Sequence, residues 1–102
     1  MHPYVESRLA DLRSLCPTHR VKRLELFGSA VGDAFDPERS DVDLMVEFEA
    51  WRMEGAFERY FGFKEAVEKL FGRPVDLVMA NAVSNPFFKR EIERTRRVLY
   101  AA

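Results

Sequence analysis

The chain has 102 residues, 16 basic and 17 acidic, with a formal charge of −1, so no global field favours a nucleic-acid backbone and strong direct nucleic-acid binding is not expected. One domain spanning 1–102 is expected at this length, with no room for a second lobe. Hydrophobic residues make up 47% of the chain, enough for some apolar surface to meet another protein, yet no run approaches the ~20 apolar residues of a membrane helix, no signal peptide is expected from a stretch holding Glu6, Arg8, Asp11 and Arg13, and the lone Cys16 suits a reducing cytoplasm.

Val5, Leu9, Leu12 and Cys16 recur at helical spacing and predict a first helix ended by Pro17, with Cys16 in the core. A strand follows over Val21–Phe27, where Leu24 and Leu26 alternate with Arg23 and Glu25. Ser29 opens a short helical turn that cannot run far past Gly32, and Asp36-Pro37-Glu38-Arg39 is a loop by its turn chemistry. The second strand is predicted over Val42–Phe48.

From Glu54 to Phe71 the pattern is helical but inconsistent. One continuous helix would place Lys64 at the centre of an apolar arc of Phe57, Tyr60, Phe61, Val67 and Phe71. Restarting the count after Gly62 puts Phe63, Ala66, Val67, Leu70 and Phe71 on one face, so a kink or break near Gly62 is expected. Gly72 ends the helix and Pro74 leads into a third strand, Val75–Met79. Asn85-Pro86 starts a last helix with Phe88 and Ile92 facing inward, and Val98-Leu99-Tyr100 reads as a fourth strand or an extended tail. This order predicts an α/β (α+β) fold, a small mixed β-sheet with helices packed on it. The basic clusters at His19, Arg20, Lys22 and Arg23, and at Lys89, Arg90, Arg94, Arg96 and Arg97, read as solvated faces.

The chemistry concentrates in two places. Gly28-Ser29 follows one apolar run, and Asp41-Val42-Asp43 opens the next. Alternation along a strand points Asp41 and Asp43 to one face while Val42, Leu44 and Val46 point into a core. Two carboxylates on one face can share a hard cation. A glycine lets the backbone approach a phosphate closely, and N–H groups at a strand-to-helix turn, with a serine hydroxyl, can hydrogen-bond it. This pairing is what metal-bound nucleoside triphosphate chemistry requires, where cations roughly 3.5–4 Å apart neutralise phosphate oxygens.

The segment from Leu26-Phe27-Gly28-Ser29 to Asp41-Val42-Asp43-Leu44, with the later Pro74-Val75-Asp76-Leu77-Val78, resembles the minimal nucleotidyltransferases of the DNA polymerase β superfamily. The likeness runs over most of the chain. It implies a polymerase β-like fold, Asp41, Asp43 and Asp76 as catalytic metal ligands for two Mg²⁺ ions, Gly28 and Ser29 as the nucleotide-binding turn, and ATP as substrate. Asp76 would also help deprotonate the acceptor. Such proteins resemble antitoxins of HEPN toxin–antitoxin pairs, which implies a HEPN-type ribonuclease partner adenylylated on tyrosine, and a homo- or hetero-oligomer.

The sequence departs from the family in one respect. Many members carry an Arg soon after Gly-Ser; here Ala30, Val31, Gly32, Asp33 and Ala34 follow, leaving Arg39 or a partner's cation to substitute. A catalytically weak antitoxin that occludes its partner is therefore a second reading, and small-molecule nucleotidylation a third. Tyr4, Tyr60 and Tyr100 are expected to pack rather than accept a nucleotide, while Trp51, Phe87 and Tyr60 are candidate partner contacts.

Overall fold

Alternating apolar side chains build two central strands, β1 (Val21–Phe27) and β2 (Val42–Phe48), paired antiparallel so that Phe27 lies opposite Asp43. β3 (Val75–Met79) adds parallel to β2, and β4 (Arg97–Ala101) antiparallel to β1, giving the order β3-β2-β1-β4. This computed structural model describes residues 1–49 and 55–102. The mixed sheet expected from the sequence is present, and Val98-Leu99-Tyr100 lie in a strand rather than a tail.

Among the described residues, four α-helices accompany the sheet: α1 (Pro3–Glu6), α2 (Leu9–Thr18), α3 (Ala56–Phe71) and α4 (Pro86–Thr95). One sheet face presents Leu24, Leu26, Val42, Leu44, Val46 and Leu77 to Leu12 and Cys16 of α2 and to Phe63, Val67 and Phe71 of α3. Each such burial stabilises by about 1.5–3 kcal/mol, which makes this the principal core. A register shift between Val21 and Arg23 lets Val21 join that core despite its odd spacing from Leu24. The opposite face is covered more thinly: Phe27 and Met45 meet Ile92 of α4, with Phe88 packed alongside. That second face bears the carboxylates.

The single first helix expected from Val5 to Cys16 is broken in two. A continuous helix would give the Tyr4 carbonyl the Arg8 N–H; instead it accepts from Ser7 Oγ at 3.2 Å and Arg8 Nη1 at 2.9 Å, while Arg8 N–H turns to the Val5 carbonyl. Nor does Pro17 end α2. The proline sits in the last turn, where His19 N–H still reaches the Leu15 carbonyl, and the turn to β1 is made at Arg20, whose φ is 58°.

No break occurs at Gly62, through which α3 runs continuously from Ala56. The arc counted on sequence mixed two faces: Phe57 and Phe61 are 71% and 45% exposed, while Phe63, Val67 and Phe71 form the buried stripe and Lys64 flanks it half-buried. The proposed helix start at Glu54 lies outside the described residues. Gly72, with φ 64°, terminates α3 as expected. Asn85 Oδ1 caps α4 by accepting from the Phe87 and Phe88 N–H groups, with Pro86 in the first turn.

Candidate active site

Because Phe27 pairs with Asp43, the residue after the strand arrives directly over that carboxylate. Gly28 takes φ 77°, and a Cβ there would lie 2.3 Å from Asp43 Oδ2, so only glycine can make this approach. Ser29 sits half-buried in the 3₁₀ turn Gly28–Val31, closed by Gly32 N–H on the Ser29 carbonyl at 3.3 Å. The Gly28 N–H itself is committed: it donates to Thr95 Oγ1 at 3.0 Å, and that hydroxyl donates to the Glu91 carbonyl at 2.9 Å. Thus α4 fixes the turn from above.

Parallel pairing of β2 with β3 aligns Asp43 with Asp76, so the two carboxylates stand side by side on the face opposite the main core. Asp41 precedes β2 and is exposed. Partial burial, then the charges of Asp76 and Asp41, raise the Asp43 carboxyl to about 6. Among the described residues no three carboxylate, imidazole or thiolate groups are gathered closely enough to enclose an ion. The donor set still fits Mg²⁺, which needs only one or two carboxylates and takes its other ligands from water and substrate phosphates. The absent Cβ at Gly28 makes room for the Asp43 carboxylate itself, which is thereby held against the turn.

The strand starts that carry these acids are tied together by a residue the sequence reading passed over. Arg73 Nε donates to the Ser40 carbonyl at 2.9 Å and its Nη1 to the Pro37 carbonyl, bracing the loop before Asp41 against the segment before Asp76. Val42 N–H donates to the Pro74 carbonyl, and Glu68 Oε2 accepts the Val75 N–H at 3.0 Å. The Asp36 loop closes on itself through its own carboxylate, which accepts the Glu38 N–H.

Further along the same face, Glu25 is only 2% exposed and accepts a forked pair of bonds from Arg96, at 2.8 and 3.1 Å, with Arg23 at 3.4 Å. Arg96 is thereby pushed further into its protonated form. This corrects the reading of the Lys89–Arg97 cluster as a wholly solvated face: one of its arginines pins the end of α4 to the sheet. A cavity of about 480 Å³ opens between Gly28-Ser29 and the last turn of α4, with Arg94 and Thr95 in its wall. Arg39 is exposed on the loop and is not part of that lining.

The tyrosines pack. Tyr4 donates to the Phe71 carbonyl, Tyr60 to the Leu77 carbonyl, and Tyr100 lies against the main core. Tyr60 is half-buried with its hydroxyl committed to that bond, whereas Phe87 is 77% exposed; Trp51 lies outside the described residues. Burial raises the Cys16 thiol to about 11, as befits a core residue.

Comparison with known proteins gives a consistent picture. The pattern of the nucleotidyltransferase domain family matches residues 8–99. A Methanocaldococcus jannaschii protein, provisionally named a protein adenylyltransferase, is 40% identical over 76 residues, covering 74% of this chain and 73% of its own length. A solved structure of a provisionally named minimal nucleotidyltransferase superposes with a TM-score of 0.73 at 30% identity, covering 91% of this chain and 90% of its own. A chain from the complex of the Shewanella oneidensis MNT antitoxin with its tri-AMPylated HEPN toxin shares the fold, with a TM-score of 0.66 at 14% identity over 95% of this chain and 72% of its own.

Proposed function

The chain belongs to the nucleotidyltransferase domain family, and from that premise we propose that it moves AMP from ATP to a tyrosine hydroxyl of a HEPN-type ribonuclease toxin, acting as its antitoxin with Mg²⁺ bound at Asp41, Asp43 and Asp76. The observation that carries the proposal is the alignment of Asp43 with Asp76 directly beneath the positive-φ Gly28. The name of the Methanocaldococcus relative and the tri-AMPylated toxin bound by the Shewanella neighbour supply the choice of AMP and of acceptor.

In this reading the Gly28-Ser29 turn holds the triphosphate, with the Ser29 hydroxyl on a phosphate oxygen. Asp41 and Asp43 would hold the cation beside the turn. The acceptor oxygen forms a bond to the α-phosphorus while the bond from that phosphorus to the bridging oxygen breaks; pyrophosphate leaves with the electron pair, and Asp76 takes the acceptor's proton. Bound Mg²⁺ supplies neutralisation of the developing charge on the phosphate oxygens. Thr95 and Arg73 keep the turn and the strand starts in place.

The test is co-expression with the neighbouring gene product and intact mass measurement of both proteins. One or more AMP units on the partner, absent with Asp43→Ala, are expected. A partner of unchanged mass that is nevertheless inactive in the complex would instead favour neutralisation by occlusion, the reading that the missing Arg after Ser29 supports.

A further inference from the structure

We propose that Arg94, on the last turn of α4, is the cation that grips the triphosphate in place of an arginine after Ser29; this rests on the nucleotidyltransferase reading above. The cavity of about 480 Å³ beside the turn has Gly28, Ser29 and Asp33 on one wall and Glu91, Arg94 and Thr95 on the other. Among the described residues, Arg94 is the one basic side chain in that lining. Its position is fixed by its neighbour. Thr95 Oγ1 accepts the Gly28 N–H at 3.0 Å, so the residue before it cannot drift from the turn that holds the phosphates.

The electrostatics require such a group. A triphosphate entering here meets Asp33 and Glu91 in the wall and Asp43 beside Gly28. The carbonyl end of α4 adds further negative character. Arg94 currently donates to Glu91 Oε1 at 2.7 Å, with both side chains exposed, at 70% and 48%. An exposed pair of this kind contributes little, whereas a guanidinium on phosphate makes two parallel charge-assisted bonds. Exchange of Glu91 for a phosphate oxygen therefore costs little and gains much. The planar fork suits two oxygens of one phosphate, which a lysine would meet only as a point charge.

Calorimetric titration of the whole chain with Mg²⁺-ATP and, separately, with AMP tests the assignment. Arg94→Gln should weaken ATP binding by about tenfold or more while AMP binding changes much less, since the lost bonds are to the terminal phosphates. Arg94→Lys should recover part of the loss, and Glu91→Gln should bind ATP at least as tightly as the parent chain. Lys69→Gln, the same charge change in an exposed pair on α3, should leave binding unaltered. Equal ATP affinity in Arg94→Gln and the parent would overturn the assignment, as would equal losses for ATP and AMP or an equal loss in Lys69→Gln. Should the unsubstituted chain fail to bind Mg²⁺-ATP at all, the nucleotidyltransferase reading itself falls, a different result from any of these.

Discussion

Asp43 holds a conflict that a proton or a cation relieves. Burial and two neighbouring carboxylates raise it to about 6, above the ordinary 3.8. A carboxyl raised in the folded state favours folding when protonated: that contribution is fully present below about 4 and is lost as pH rises through about 6. In chelator, the thermal midpoint of the parent should therefore fall relative to Asp43→Asn as pH is raised from 4 to 7. Added Mg²⁺ should narrow that gap, because the ion compensates the ionised group; a gap indifferent to both pH and Mg²⁺ would contradict the reading. Gly28 imposes a second constraint. Gly28→Ala places a Cβ 2.3 Å from Asp43 Oδ2 at φ 77°, and denaturant titration should show a loss of about 1–3 kcal/mol from backbone strain alone, with nucleotide transfer abolished.

At the scale of elements, α3 and α4 show what a sequence can and cannot convey. The turn and the paired aspartates were legible because their meaning is local: Gly28-Ser29 ends one strand, and Asp41 and Asp43 open the next. The faces of α3 were not, because nine Phe in a small chain cannot all be inside and periodicity does not say which are out. Phe63→Ala should cost about 3–5 kcal/mol by chemical denaturation, whereas Phe57→Ala, on the exposed side of the same helix, should stay within about 0.5 kcal/mol. The Glu25–Arg96 bond was equally invisible, joining groups 71 positions apart. Here the two partners are unequal: Arg96 can reach water and Glu25 cannot. Arg96→Ala, which leaves a buried carboxylate with only the longer Arg23 contact, should thus destabilise more than Glu25→Gln in the same melts.

For the whole molecule, the sheet has one thickly covered face and one that, among the described residues, α4 covers more thinly together with Ala80 and Val83, and that carries Glu25, Asp43 and Asp76. In the proposed transfer the acceptor comes to that second face, where the carboxylates lie. Among the described residues, Phe87 on α4, the Phe57–Phe61 pair on α3, with ring centroids 4.5 Å apart, and Val98 on β4 are the exposed large apolar groups that a partner could meet. Asp43→Ala should abolish transfer yet still co-purify with the proposed toxin partner, while Phe87→Ser should weaken co-purification; loss of binding in a folded Asp43→Ala chain would make site and interface one surface. The bond between Gly28 and Thr95 spans 67 positions, and this has a consequence for the order of assembly. The β2–β3 pairing that aligns Asp43 with Asp76 involves no residue of α4, whereas the turn at Gly28 is held only once Thr95 has docked, so the carboxylate pair and the turn are completed by separate contacts. Hydrogen exchange at the single Gly28 amide then reports the docking of α4: slow exchange there marks the closed turn that the proposed nucleotide site needs.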